Sequence, residues 1–175
     1  DSERTMCTFL GTAGKINELD INIEAVKNSQ VTFLEGYLWD KGEPKSAFNK
    51  AIKYSNTVAM SLSDLFCVER HKLEFLDLIK TKLDITFANE QEITSLIDAK
   101  KFEDIVLFGQ ELGKTIIVTR GEKGSIAITK DEIIECKSKK NLKIIKLGLQ
   151  KADVIKTHGN NNKIKKTLNY ENFTP

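Results

Sequence analysis

The sequence predicts an α/β fold: a mostly parallel sheet with flanking helices and an antiparallel hairpin at one edge. Three observations carry that expectation. Between residues 16 and 120, short β-branched apolar runs alternate with segments of helical spacing. Repeated βα units of this kind give parallel strands joined by right-handed crossovers, with helices on both faces of the sheet. After residue 120 the alternation stops, and two short strands follow with Lys130-Asp131 between them, as in a hairpin.

Taken in order, residues 22–29 have the spacing of a short helix. Residues 30–37, QVTFLEGY, are β-branched and apolar and read as a strand. Residues 46–54 return to helical spacing through Phe48 and Ile52, and residues 57–62, TVAMSL, form the next strand. Residues 69–83 read as an amphipathic helix with Leu73, Leu76, Ile79 and Leu83 on one stripe. A short strand at 85–87 leads into helices at 91–98 and 102–112, and TIIVT at 115–119 is a buried strand. Residues 125–129 and 132–136 make the hairpin. Beyond Lys137, residues 141–145 read as a strand and 147–155 as a helix. From Thr157 the chain is polar and Asn-rich, the composition of a mobile tail.

Composition sets the class. Hydrophobic residues make up 40% of the 175 and charged residues 30%, as in a soluble globular chain. No apolar run approaches the roughly 20 residues of a membrane span, and no basic segment with an apolar stretch marks a signal peptide. Cys7, Cys67 and Cys136 are odd in number and far apart, which predicts buried reduced thiols and a cytoplasmic location. The net charge of +2 hides two kinds of sequence. Residues 1–136 carry 17 basic against 23 acidic side chains; residues 137–175 carry 10 lysines against Asp153 and Glu171. The opening DSERTMCTFLG has no initiator Met and runs at once into a strand-like segment, so the chain reads as a piece of something longer.

Three stretches carry candidate chemistry. Asn89-Glu90-Gln91-Glu92 follows a strand and opens a helix, where ligands bind in open α/β sheets. Asn and Glu there suit a hydrated magnesium ion. The same spacing is that of a capping box, which it favours, and the two roles are compatible. Thr119-Arg120-Gly121-Glu122-Lys123-Gly124-Ser125 places two glycines after a buried strand. Such glycines either let amides approach an anion or serve a connecting loop that needs positive φ. No G-K-[ST] follows, so it is not a Walker loop. Arg4 could neutralise a transferring phosphate, although surface arginines are common. His71, at the start of its helix, suits a solvated or capping role. His158 lies in the polar tail, and the two histidines form no metal constellation. The tail lysines lack the aromatic or glycine-rich companions of RNA-binding sequences, so nucleic acid is not the expected partner.

In order, these pieces resemble the ribokinase-like, or PfkB, family of carbohydrate and nucleoside kinases. The resemblance covers about residues 1–145. Arg4-Thr5-Met6 with Thr8-Phe9-Leu10-Gly11 resembles its substrate-side strand, and Glu35-Gly36-Tyr37 its EGY strand end. Ser61-Leu62-Ser63-Asp64-Leu65-Phe66-Cys67-Val68 with Arg70-His71 is similar to the adenosine-kinase-like branch. Asn89 to Glu92 matches N-x-x-E, and Thr119 to Gly124 matches T-x-G-x-x-G. The resemblance implies a partial ribokinase-like (Rossmann-like) domain at 1–145 followed by a non-matching basic tail at 146–175. It implies transfer of the ATP γ-phosphate to a hydroxymethyl group of a sugar or nucleoside, with Mg2+. Asn89 and Glu92 would organise magnesium and phosphates. Thr119, Gly121 and Gly124 would border the nucleotide, and Arg4 would close over the transferring phosphoryl group. Two departures stand against full activity. The glycine-rich N-terminal half of the family has no counterpart here. The G-A-G-D motif, whose Asp is the family's general base, is replaced by residues 146–151, KLGLQK, and no G-x-G-D occurs in the chain. The resemblance therefore implies a catalytically impaired form. The alternative is a non-catalytic binding or assembly module, whose uncovered edges admit a homodimer.

Overall fold

Each crossover in this chain returns the backbone to the strand just made. The structure, a computed structural model, describes residues 9–39 and 43–138, all within the first of two units into which the chain divides, residues 1–139. Six strands form one sheet: β1 (Thr32–Glu35), β2 (Val58–Ser61), β3 (Ile85–Asn89), β4 (Thr115–Thr119), β5 (Ser125–Ile128) and β6 (Ile133–Cys136). Their spatial order is their sequence order. β1 to β4 are parallel, and β5 and β6 are antiparallel to their neighbours. Among the described residues five helices accompany them: α1 (Ile23–Asn28), α2 (Pro44–Tyr54), α3 (Leu65–Thr81), α4 (Glu90–Ile97) and α5 (Phe102–Leu112).

This order decides which sheet face is covered. Parallel neighbours laid down in one direction, each joined by a right-handed crossover, put every crossover helix on the same side. The register shows the result. Leu34, Met60, Thr86, Ile116 and Ile128 lie side by side across five strands, and none is more than 6% exposed. The four apolar members join one core with Phe48 and Ala51 of α2, Val68, Phe75 and Ile79 of α3, Ile93 and Leu96 of α4, and Ile105 of α5. Burying each large apolar side chain contributes about 1.5–3 kcal/mol.

The opposite face holds Phe33 and, in the next row along, Phe87, Ile117, Ala127 and Ile134. None of them belongs to that core, and Phe33 and Ile134 are each 57% exposed. The expected helices on both faces are therefore not what is found; among the described residues, helices cover one face. The uncovered row is still apolar, and Phe33 meets Phe87 edge-on with ring centroids 5.9 Å apart.

Local signals set the element ends. Asn22 caps α1 by accepting the Ala25 N–H at 3.1 Å. Asp64 caps α3 by accepting the Cys67 N–H at 2.6 Å, so this helix starts at Leu65, four residues before the expected 69. Inside α3 the backbone at His71 leaves helical geometry (φ −120°, ψ 23°). The break resets the helical phase: Phe75, Leu78 and Ile79 face the core, while Leu73, expected on the apolar stripe, is 82% exposed. The strand expected at 30–37 shortens to Thr32–Glu35, because a 3-10 turn takes over at Gly36–Trp39. In the opening segment, Gly11–Lys15 is also a 3-10 turn rather than strand, and residues 1–8 lie outside the described residues. The expected elements at 141–145 and 147–155 lie outside them as well.

Candidate functional site at the strand ends

β3 and β4 are parallel neighbours in exact-length register, with Asn89 opposite Thr119. Two motifs 30 residues apart in sequence thus emerge at one level, at the carboxyl ends of adjacent strands. α4 starts immediately at Glu90, so the free N–H groups and positive dipole end of that helix face the same space. From Thr119 the chain turns through a 3-10 turn at Gly121–Lys123 and re-enters the sheet as β5. Between helix start and turn lies an open groove of about 650 Å3, walled by Glu90, Gln91, Thr94, Arg120, Gly121 and Lys123. A smaller recess of about 210 Å3 reaches inward to Ser61, Phe87 and Glu92. Asn89 and Thr119 line both spaces.

Asn89 and Glu92 form a capping box with a third bond added. Asn89 Oδ1 accepts the Glu92 N–H at 2.8 Å. The Asn89 N–H donates to Glu92 Oε2 at 2.9 Å, and Asn89 Nδ2 donates to Oε1 at 2.7 Å. Glu92 is 5% exposed. Burial pushes its carboxyl above the ordinary range, the Asn89 amide opposes this, and the nearby charge of Asp64 adds to the rise. The capping role is therefore realised. Each Glu92 oxygen accepts one bond and keeps a second lone pair. Among the described residues no three His, Cys, Asp or Glu side chains cluster as a metal cage. The donor set suits a hard cation that keeps its waters and takes its other oxygens from phosphates.

The groove wall is cationic with one internal counter-charge. Arg120 Nε donates to Glu90 Oε2 at 3.2 Å, and Lys123 Nζ lies 3.8 Å from Glu90 Oε1. The Arg120 guanidinium also stacks over the Phe102 ring, 3.5 Å from its centroid. Within the turn, the amides of Arg120, Lys123 and Gly124 donate to Gly124, Arg120 and Gly121 carbonyls. The amides of Gly121 and Glu122 make no hydrogen bond to another described residue.

The two glycines differ in purpose. Gly121 has φ +55° with open space beside it, whereas a Cβ on Gly124, at φ +92°, would lie 2.0 Å from the Cys136 carbonyl oxygen. Gly124 is thus required by the close approach of β6 and does not line the groove. Asn89, Glu92, Thr119 and Gly121 lie around these two adjoining spaces; Arg4 lies outside the described residues. Sequence reasoning did not single out Glu90, Thr94, Arg120 or Lys123. All but Thr94 occupy variable positions of the two motifs, and at a strand end those positions form the wall.

Against this geometry, a model of the pfkB family of carbohydrate kinases matches residues 1–147. The chain belongs to the pfkB family. An adenosine kinase from Sinorhizobium meliloti superposes with a TM-score of 0.70 at 31% identity, covering 75% of this chain and 42% of that one. A probable sugar kinase from Rhizobium etli CFN 42 gives 0.69 at 32%, covering 73% and 40%. A protein described as a ribokinase II from E. coli, in complex with ATP and magnesium, shares the fold with a TM-score of 0.63 at 17% identity, covering 75% and 45%. The chain thus spans less than half the length of these pfkB-fold structures. No curated protein matches it.

Two smaller expectations for this pfkB chain need correction. Cys67 is buried, but Cys136 is exposed, because all four residues of the edge strand β6 are exposed. The His71 side chain is 13% exposed, with Nδ1 3.7 Å from Glu74 Oε2 and its ring against Phe75. It is largely shielded from solvent rather than solvated.

Proposed function

We propose that this chain is the nucleotide-binding side of an ATP-dependent sugar or nucleoside kinase, and that it turns over little by itself. The observation that carries the reading is the in-register pair Asn89 and Thr119, which sets N-x-x-E and T-x-G-x-x-G on either side of one cationic groove. The phosphate chain would meet Arg120, Lys123, the amide end of α4 and the amides of Gly121 and Glu122. Asn89 and Glu92 would hold hydrated magnesium, whose chemistry is to neutralise charge on the phosphate oxygens. Thr119 and Gly121 border the nucleotide, Gly124 fixes the turn that presents them, and Arg4 closes over the transferring group. The acceptor is a hydroxymethyl group of a sugar or nucleoside. The 175 residues hold no G-x-G-D, hence no such Asp to take the proton from that hydroxyl. The cytoplasm, where ATP is plentiful and thiols stay reduced, is the compartment this implies. Among the described residues no helix is long and apolar enough to cross a membrane.

The test is a thermal-melt titration with Mg-ATP beside a coupled ADP-release assay with adenosine and ribose. A ligand that binds the folded state raises the midpoint by mass action. The expected result is a shift with little ADP release. Absence of any shift would remove the nucleotide reading, and rapid ADP release would remove the impairment. A second reading, a non-catalytic assembly module that pairs as a homodimer, is favoured by the apolar face with Phe33 and Ile134, which no described helix covers. A strictly monomeric species in sedimentation velocity would exclude it.

A further inference from the structure

We propose that Glu90 is a built-in counter-ion for the phosphate chain: its carboxylate occupies the anion's seat between Arg120 and Lys123 until a polyphosphate displaces it. The inference rests on the nucleotide reading and adds to it the residue that sets the groove's affinity for anions. Glu90 presents one oxygen to each cation, Oε2 to Arg120 and Oε1 to Lys123, as two oxygens of a phosphate would. It stands on the groove wall at the first position of α4, where a negative charge also interacts with the helix amides. The two cationic contacts open to a phosphate here are therefore already made by this carboxylate.

Whether Glu90 builds the cations' positions or competes for them is settled by what else holds Arg120. The Phe102 ring lies 3.5 Å beneath the guanidinium, and the Arg120 side chain is 18% exposed. Stacking thus pins Arg120 at the groove without help from Glu90. Glu90 is 32% exposed, so it can swing into water at little desolvation cost. A single carboxylate can yield to a ligand carrying several charges, while ligands with one charge gain little by replacing it. Glu90 in this sense selects for polyphosphates and keeps stray anions out.

The experiment is isothermal titration of the full chain, Glu90→Gln and Glu90→Ala with sodium tripolyphosphate, repeated with Mg-ATP as competitor and over a range of salt concentrations. Both variants should bind tripolyphosphate roughly fivefold more tightly, the effect of deleting one opposing charge at contact distance in a solvated groove. Their affinity should also fall more steeply with salt, a change that a merely structural role would not produce. Equal or weaker binding by both variants would overturn the role of Glu90, while competition by Mg-ATP would leave the nucleotide reading intact. Tighter tripolyphosphate binding without competition by Mg-ATP would support Glu90 and overturn the nucleotide reading. Binding of neither ligand to any form overturns both. Unliganded melts show that each variant folds, and Glu90→Ala decides if Glu90→Gln does not.

Discussion

Asn89→Ala removes two of the three hydrogen bonds that tie the start of α4 together. The Glu92 N–H loses its acceptor Oδ1, and Glu92 Oε1 loses its donor Nδ2; the bond from the Asn89 N–H to Oε2 survives. Losing an N-cap costs about 1 kcal/mol. Losing a hydrogen bond to a charged group costs about 1.5–3 kcal/mol, and the carboxylate here is only 5% exposed. The expected loss with Glu92 ionised is therefore about 3 kcal/mol. Its pH dependence has a definite sign. Burial already holds the Glu92 carboxyl above its unfolded value. Such a group favours folding below the unfolded value, and the advantage is lost as pH rises through the folded one. Without Nδ2 the folded value climbs further. The mutational loss should thus be smallest in acid, where both proteins carry a protonated Glu92, and reach full size above the folded value. Urea melts of both proteins across that window measure it. Asn89→Ser, which keeps a capping oxygen but no amide donor, should fall between them. A loss below about 0.5 kcal/mol, or one equal below the unfolded value and above the folded one, would refute the assignment.

Gly124→Ala should cost well over 1 kcal/mol and strip hydrogen-exchange protection from β6, because the new Cβ meets the Cys136 carbonyl oxygen. Gly121→Ala, with open space and only its φ against it, should cost about 1–2 kcal/mol and leave β6 protected. Phe33→Ser, on the face that no described helix covers, should change stability by less than about 0.5 kcal/mol and weaken any self-association seen in sedimentation. Hydrogen bonds from Lys45 and Trp39 hold the Glu74 carboxyl below its ordinary range. Its contribution is therefore present above the unfolded value and lost as pH falls through the folded one. Glu74→Gln should remove that acid-side loss, worth less than about 1 kcal/mol for this half-exposed group, in melts at paired pH values.

The alternation of strands and helices was readable because each unit is local: β-branched runs, then helical spacing, then a cap. Asn89 and Glu92 were readable for the same reason, three residues apart on one turn. Where a local signal was overlooked, the reading slipped: Asp64 begins α3, and without it the start moves to 69. Where a signal depends on backbone geometry, it was invisible. Nothing in Leu73 or its neighbours announces the break at His71 that turns Leu73 to solvent. That the described helices all cover one sheet face was not legible either, since strand order is a property of the whole topology. The pairing of Glu90 with Arg120 joins residues 30 apart, which only the register of β3 and β4 brings together.

The sequential strand order has a consequence for synthesis. Among the described residues, every strand from β1 to β6 bonds only to strands adjacent to it in the chain. None of these six strands inserts between two earlier ones, so the ladder can lengthen as the polypeptide emerges from the ribosome. Each new βα unit adds to the last, short loops close early, and their entropy is spent in small steps. Until β4 and β5 join, the growing edge is always the newest strand, which its own successor then seals.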